Sequence, residues 1–387
     1  MRIIADNTIP YLKGIAEPIA EVTYLDSKSF TPERVKEADV LIVRSIDKCT
    51  PALLAGSRVK LITTATIGFD HIDIHYCERQ GIVWKNAPGC NASSVAQYVL
   101  ADLVTLSLRT GSPLRGKTIG IVGVGHVGRI VERYCAAMGM RVLRNDPPRA
   151  AAEGAEGFVS LEQIAAEADV VTLHVPFTKE GDYPTYHLVD SRFLQQLAKQ
   201  PWLFNSCRGA VHDTEALLEA KRTGKVSELV LDCWENEPVI SRELLALTAL
   251  ATPHIAGFSA DGKANGTRAC LQAIEQFFDV HFERLPQVQP PAPQDPLIDL
   301  DQWTSHRIEQ AILHTFSPER VDQALRADPD GFERQRNHYA HPREFSAYQV
   351  LHATAEEANC LRQLGFVLPE PQREPDGFLG HKMPFSG

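Results

Sequence analysis

The chain has no C-x-x-C pair, and its eight cysteines (49, 77, 90, 135, 207, 233, 270 and 360) are scattered without clustering. That excludes a disulfide-framed secreted fold and a cysteine-built zinc site, and it fits reduced thiols in the cytoplasm. An excess of positive charge is missing too: 39 Lys and Arg stand against 49 Asp and Glu, a formal net charge of −10. A chain that seeks phosphate backbones carries the opposite balance, so nucleic acid is not expected as a partner. Long apolar runs are also lacking. The longest weakly charged one, Val95 to Leu108, has 14 residues including Asp102, too short for a bilayer, and reads as a buried helix. The opening MRIIADNTIP shows no apolar signal core, so the expectation is a cytoplasmic protein away from membranes. No internal repeat is visible.

What is present is a globular mixture, 44% hydrophobic and 23% charged, over 387 residues, a length that predicts two or three domains. Short β-branched runs read as strands at Arg2–Ala5, Glu21–Leu25, Asp39–Val43, Lys60–Ala65 and Gly81–Trp84. A helix is predicted over Thr31–Ala38, with Thr31 as N-cap and Pro32 in the first turn. Strands alternating with helices predict a parallel sheet covered on both faces. A long helix, from about Ala92 to Arg109, ends this block. A second series runs through Thr118–Val122, Arg141–Asn145, Asp169–Val175, Trp202–Ser206, Glu228–Asp232 and Leu250–Thr252, and another long helix, about Gly266–Phe278, closes it. The chain is thus expected to enter a second domain and later return to the first.

Past Phe282 the texture changes. Pro286, Pro290, Pro291, Pro293 and Pro296 mark a stiff, extended linker. The tail beyond Leu285 carries nine Lys and Arg against fifteen Asp and Glu, so it is no basic arm. Its amphipathic stretches, Trp303–Phe316 and Ala353–Leu364, predict a small third domain, and the last fifteen or so residues are expected to fray.

The strongest local signal is Thr118-Ile-Gly-Ile-Val-Gly123-Val-Gly125-His-Val-Gly128. A G-x-G-x-x-G after a β-branched strand, opening a helical pattern over Val127–Met138, is the context that dinucleotide binding requires. Gly123 permits the tight turn, Gly125 lets backbone approach a pyrophosphate, and Gly128 lets helix pack on strand. Asp146, at the end of the next strand, suits the ribose hydroxyls and favours NAD over NADP, although Arg144 and Arg149 flank it.

Three later segments put polar residues just beyond strand ends: Asn205-Ser-Cys-Arg208-Gly209, Asp232-Cys-Trp-Glu-Asn-Glu237-Pro238 and Thr252-Pro-His254-Ile-Ala-Gly257. Oxidation of a 2-hydroxy acid needs a cation for the carboxylate, a base of near-neutral pKa, and a carboxylate to orient that base. Arg208, His254 and Glu237 fit these three roles in turn. Singly, each also reads as an ordinary loop residue; the set in this order favours chemistry.

On Val-Arg44-Ser45, Gly123–Gly128, Ser206-Cys-Arg208-Gly, Asp232, Glu237 and His254, the chain resembles the D-isomer-specific 2-hydroxyacid dehydrogenases along about residues 1–285. The resemblance implies an α/β fold in which a split flavodoxin-like catalytic domain (1–92 and 257–285) surrounds an inserted Rossmann NAD-binding domain (93–256). It also implies catalysis by Arg208, Glu237 and His254. Asn86-Ala-Pro-Gly-Cys-Asn91-Ala, Asp146-Pro-Pro-Arg149, His254-Ile-Ala-Gly257, Gly262-Lys263 and the roughly 100-residue tail are similar to the branch serving pyridoxal 5′-phosphate synthesis. That branch implies a small α+β dimerisation domain (286–380), a homodimer, a small phosphorylated 2-hydroxy acid as substrate, and a 2-oxo acid as possible hydride acceptor. By the same resemblance Ser45 and Thr66 contact substrate, and His126, Val127, Asp146, Val175, Ser206, Cys207, Asp232 and Gly257 line NAD. The position after Gly257 is usually Tyr; here Phe258 keeps the aromatic wall without the hydroxyl. Candidate cations for the phosphate are Arg44, Lys48 and Lys263.

The i, i+4 pair His71 and His75 has no third ligand in sight, so no metal is expected, and His338 and His341 read as surface residues. The competing readings are a sibling activity, 3-phosphoglycerate dehydrogenase or glyoxylate/hydroxypyruvate reductase, and an NAD-sensing interaction protein akin to the family's corepressors.

Overall fold

The computed structural model describes residues 1–369, and the expectation for the last fifteen or so residues lies outside the described part. Strands β1 (Arg2–Asp6), β2 (Glu21–Leu25), β3 (Val40–Val43), β4 (Leu61–Thr64) and β5 (Val83–Lys85) form a parallel sheet in the order β2-β1-β3-β4-β5. Every residue of β3 and β4 is buried, as in strands covered on both faces. This is the flavodoxin-like winding, and its order reverses between β1 and β3.

A second parallel sheet contains β6 (Thr118–Val122), β7 (Arg141–Asn145), β8 (Val170–Leu173), β9 (Trp202–Asn205), β10 (Glu228–Leu231) and β11 (Leu250–Ala251). Its order is β11-β10-β9-β8-β6-β7, with the reversal between β6 and β8. In such sheets the crevice beyond the strand C-termini, at the reversal, is where ligands bind. Both sheets therefore have a defined ligand end.

The two long helices link the sheets. The first, Ala92–Thr110, has fourteen of its 19 residues buried because it is apolar on nearly every side. It packs against the helix that follows β6 on one side and tail helices on another. The second, Ala260–Phe278, begins six residues before the expected Gly266, because Ser259 caps it by accepting the Gly262 N–H at 2.8 Å. Gly262 looks like a loop residue in sequence, and Gly266, inside the helix, serves packing: a Cβ there would lie 2.8 Å from the Ala65 carbonyl oxygen. The helix expected over Thr31–Ala38 is reduced to one turn, Pro32–Val35, since Thr31 makes no side-chain cap and the chain must reach β3 at Val40.

The tail is α+β. Helices Arg307–Thr315, Pro318–Ala327, Phe332–Asn337 and Ala355–Leu364 accompany a parallel pair, β12 (Leu297–Asp299) and β13 (Gln349–Leu351). It is no separate bead. Ile298, Ile312, Phe345 and Leu361 share one hydrophobic cluster with Val99, Leu103 and Tyr134. Asp322 accepts the Ala251 N–H at 2.8 Å, while Arg326 donates to the carbonyls of Leu245 (2.7 Å) and Thr248 (2.6 Å). These bonds cover β11, which would otherwise be an open sheet edge. Among the described residues, no helix is long and apolar enough to cross a membrane.

One buried group works against the fold. Asp102, inside the first long helix, is fully buried, and neither carboxylate oxygen has a hydrogen-bond partner. Burial holds its carboxyl far above the usual carboxylate range, with Asp232 and Asp322 adding to the effect. A carboxyl kept protonated in the fold costs stability as pH rises above about 4, where the unfolded chain's copy ionises. Asp102→Asn is therefore expected to raise the melting temperature relative to the parent by a margin that grows from pH 5 to pH 8. Thermal unfolding across that range checks it; a margin independent of pH would contradict the assignment.

Candidate active site

The loop after β6 opens the helix His126–Ala137. Gly123 has φ +90°, and a Cβ there would meet the His174 carbonyl oxygen at 2.6 Å and Val175 at 2.8 Å. A Cβ on Gly128 would stand 2.2 Å from the Gly123 carbonyl oxygen. Gly125 faces open space, with no atom within 4 Å of its missing Cβ. The backbone is thus bare where a pyrophosphate meets the positive end of a helix. His126 is exposed at the first helical position, Val127 half-buried behind it.

Asp146 follows β7 and caps the next helix: one oxygen accepts the Arg149 N–H (3.1 Å), the other the Val124 N–H (2.8 Å). An ionised carboxylate has about four acceptor positions, so it retains capacity for ribose hydroxyls. The flanking arginines are engaged elsewhere. Arg149 forms two bonds to Glu153 (2.8 and 2.6 Å) and one to the Val124 carbonyl (2.6 Å), and Arg144 bonds the Gly157 carbonyl (2.9 Å). On the other side of the crevice Val175 is half-buried, and the buried hydroxyl of Ser206 has no hydrogen-bond partner. Burial pushes the neighbouring Cys207 thiol up to about 11, which leaves it inert. These residues fit a dinucleotide: a Cβ-free cradle, a carboxylate with acceptor capacity and an unsatisfied hydroxyl.

Strands β9, β10 and β11 are neighbours, so the loops after them converge. At the end of β9, Asn205 accepts the Cys207 N–H (3.0 Å) and donates to the Arg208 carbonyl (2.9 Å), which shapes the turn carrying Arg208. The Arg208 side chain is exposed, and its one hydrogen bond is to the Cys207 carbonyl (2.7 Å). Between the other two loops, His254 Nδ1 lies 2.6 Å from Glu237 Oε1. The Trp234 N–H steadies the second Glu237 oxygen at 3.4 Å, and the Trp234 indole N–H donates to the Thr252 carbonyl at 3.0 Å.

Asp232 is 1% exposed and fastens the His254 loop. Its oxygens accept from Thr252 Oγ1 (2.7 Å), the Ile255 N–H (2.7 Å) and the Ala256 N–H (3.0 Å). His254 takes a left-handed conformation, φ 56°.

The substrate candidates of the first sheet lie past its strand ends. Arg44 and exposed Ser45 follow β3, and Thr66 follows β4, where its hydroxyl bonds the Gly68 carbonyl (2.8 Å). Gly257 is held by Asn91, whose amide donates to its carbonyl at 3.2 Å. Phe258 is half-buried under Lys263, and Lys48 is exposed.

His71 and His75 do not converge: buried His71 bonds Thr64 (3.1 Å), whereas exposed His75 lies beside Glu78 (3.7 Å). Among the described residues the set spaced for a cation is Asp299, Asp301 and His352, at the β12–β13 end of the tail. Sequence reasoning placed Asn205, Trp234 and Thr252 in the strand-end segments without seeing their scaffold role. It also missed Arg336, whose guanidinium Nε donates to the His254 carbonyl at 3.3 Å. The polar run Arg336-Asn-His-Tyr-Ala-His341 was the available signal.

Residues 95–256 match the family described as D-isomer specific 2-hydroxyacid dehydrogenase, NAD binding domain, and residues 291–365 match a domain described as of unknown function. The erythronate-4-phosphate dehydrogenase of Porphyromonas gingivalis is 53% identical over 95% of this chain and 100% of its own length. That of Bacteroides thetaiotaomicron is 49% identical over 91% of this chain and 99% of its own. Among solved structures, NAD-bound 3-phosphoglycerate dehydrogenase of Entamoeba histolytica is 29% identical with a TM-score of 0.59, covering 73% of this chain and 97% of that one. D-lactate dehydrogenase of Aquifex aeolicus, complexed with NAD and lactic acid, is 26% identical with a TM-score of 0.57, covering 75% and 100%. The chain belongs to the D-isomer-specific 2-hydroxyacid dehydrogenase family, among its erythronate-4-phosphate dehydrogenase relatives.

Proposed function

We propose that this chain oxidises 4-phospho-D-erythronate at C2 to (R)-3-hydroxy-2-oxo-4-phosphooxybutanoate, with NAD as cofactor, on the route to pyridoxal 5′-phosphate. The observation that carries this reading is a likeness running through the tail as well as the catalytic segments. The P. gingivalis relative spans 95% of the chain, whereas the 3-phosphoglycerate dehydrogenase structure spans 73%.

Each role follows from chemistry. Arg208, exposed beyond β9, offers a guanidinium fork to the substrate carboxylate and polarises C2. His254 takes the hydroxyl proton as the C2 carbonyl forms. Glu237 accepts from Nδ1 at 2.6 Å, which keeps the proton on that nitrogen and leaves the Nε2 lone pair for substrate. NAD, when bound, supplies the acceptor for the hydride leaving C2. Gly123, Gly125 and Gly128 with His126 and Val127 hold the pyrophosphate, Asp146 the ribose, and Val175, Ser206, Cys207, Asp232 and Gly257 the remaining wall. Asp146 repels a 2′-phosphate, and Arg144 and Arg149, engaged with protein acceptors, offer it no compensating charge. Ser45, Thr66 and Phe258 face the substrate. The proposal includes a cytoplasmic homodimer joined through residues 286–380, a catalytic domain split as 1–92 and 257–285 around 93–256, and a 2-oxo acid as the final hydride acceptor.

The decisive assay supplies 4-phospho-D-erythronate, NAD and 2-oxoglutarate, follows the 2-oxo product directly, and runs 3-phosphoglycerate and glycerate alongside. Preference for the erythronate ester is expected; preference for either competitor moves the protein to a sibling activity. His254→Gln is expected to lower kcat by about a thousandfold while NADH still binds, and Glu237→Gln by a smaller factor, about 10- to 100-fold. Near-normal turnover in His254→Gln would refute the acid–base assignment. Asp146→Ala is expected to weaken NADH binding about tenfold and to narrow the preference over NADPH, read by fluorescence titration of both.

A further inference from the structure

The surroundings of Phe258 hold more positive charge than chemistry at C2 requires. Lys263 Nζ sits 4.4 Å from the centre of the Phe258 ring, and the Arg336 guanidinium carbon 5.5 Å from it. The His341 ring centre is 5.7 Å away. Arg44, at the end of β3, acts electrostatically on both Lys263 and His341. Burial, reinforced by Arg44 and Arg336, pushes the Lys263 ammonium down to about 8. His341 is solvent-exposed on one side and partly covered on the other, and that cover, with Lys263 and Arg44 acting on it, pushes it down to about 4.

No carboxylate balances this group among the described residues. The Arg44 side chain bonds the Thr8 hydroxyl, and the Arg336 side chain bonds the His254 carbonyl (3.3 Å). The groups acting on Lys263 are two arginines and the Cys90 thiol. Lys263, Arg336 and His341, from two parts of the chain, thus crowd one aromatic ring against the loop that carries His254, and Arg44 from a third part lies near enough to act on two of them. The three cations, Arg44, Lys263 and Arg336, repel one another unless an anion sits among them, and a phosphate dianion, which the neutral His341 imidazole can also meet with its N–H, is the anion that such forked and point-charge donors suit best.

We propose that the tail completes the substrate site: Arg336 and His341 join Arg44 and Lys263 as the subsite for the substrate's phosphate group, with Phe258 as its floor. This rests on the reading of the substrate as a phosphorylated 2-hydroxy acid. The tail then sets specificity, in addition to covering the edge of the second sheet. Exposed Lys48 stands outside the group.

The test compares 4-phospho-D-erythronate with D-erythronate on the full-length parent, Arg336→Gln and Arg336→Lys. In Arg336→Gln the ratio of kcat/KM for the phosphorylated over the unphosphorylated acid is expected to fall about 30-fold, carried by KM, the scale of one lost charge-assisted contact. Competitive inhibition by inorganic phosphate weakens in parallel, and Arg336→Lys recovers part of both. Equal losses on the two substrates would mean that Arg336 only braces the His254 carbonyl, and would overturn the proposal; so would an unchanged ratio. If the parent prefers 3-phosphoglycerate, the erythronate assignment fails, and the same ratio taken with 3-phosphoglycerate and glycerate still decides the subsite. A parent that neither favours phosphorylated acids nor is inhibited by inorganic phosphate refutes the subsite outright.

Discussion

The carboxylate of Asp232 is the fastening on which the site depends. Buried at the end of β10, it accepts from the Thr252 hydroxyl and from the N–H groups of Ile255 and Ala256. Burial pushes this carboxyl up from its ordinary range, and the three bonds wrap the chain leaving β11 around it, with His254 in a left-handed conformation at φ 56°. For a residue with a Cβ this costs roughly 1–2 kcal/mol, and the three hydrogen bonds to the Asp232 carboxyl offset it. The same turn sets Nδ1 2.6 Å from Glu237. The imidazole is therefore positioned by backbone held to a buried carboxyl, before any ligand arrives.

The second organising feature is the join between the tail and the body. Asp261, in the first turn of the helix that follows the His254 loop, takes two bonds from the Arg343 guanidinium (2.9 and 3.0 Å) and a third from the Glu344 N–H (2.8 Å). Ser259 donates to the Glu344 carboxyl at 2.7 Å. Gln97, in the first long helix, donates to the Arg343 carbonyl and accepts the Phe345 N–H (3.1 and 3.0 Å). Residues 343–345 thus tie both long helices together, and these are the elements that link the two sheets. The same stretch of tail, a few residues earlier, delivers Arg336 and His341 beside Phe258. Support of the scaffold and contact with Phe258 come from one continuous segment.

Much of this was legible in the sequence. The β-branched runs of β3, β4 and β6 are buried on both faces, so apolar character with no alternation marks them clearly. The glycine spacing at 123, 125 and 128 reports backbone that no side chain can share, a local steric fact. The helix boundary at Ala260 was not legible, because Gly262 and Gly266 lower helix propensity while their value lies in contacts with Asn91 and Ala65, distant in the chain. The role of Trp234 was hidden similarly, since it acts by a hydrogen bond to Thr252, whose position depends on neighbouring strand ends.

By itself the sequence determined the two α/β series and the dinucleotide turn, and it marked Arg208, Glu237 and His254 as candidates, because short-range sterics and residue chemistry leave local signatures. Only the tertiary structure decided that the Glu237 and His254 loops meet, that Asp232 faces inward to hold one of them, and that a tail separated by a proline-rich stretch returns to Phe258. Those outcomes depend on strand order and on the packing of the long helices. Neither leaves a mark at any single position, because each is a sum of contacts between residues far apart in the chain.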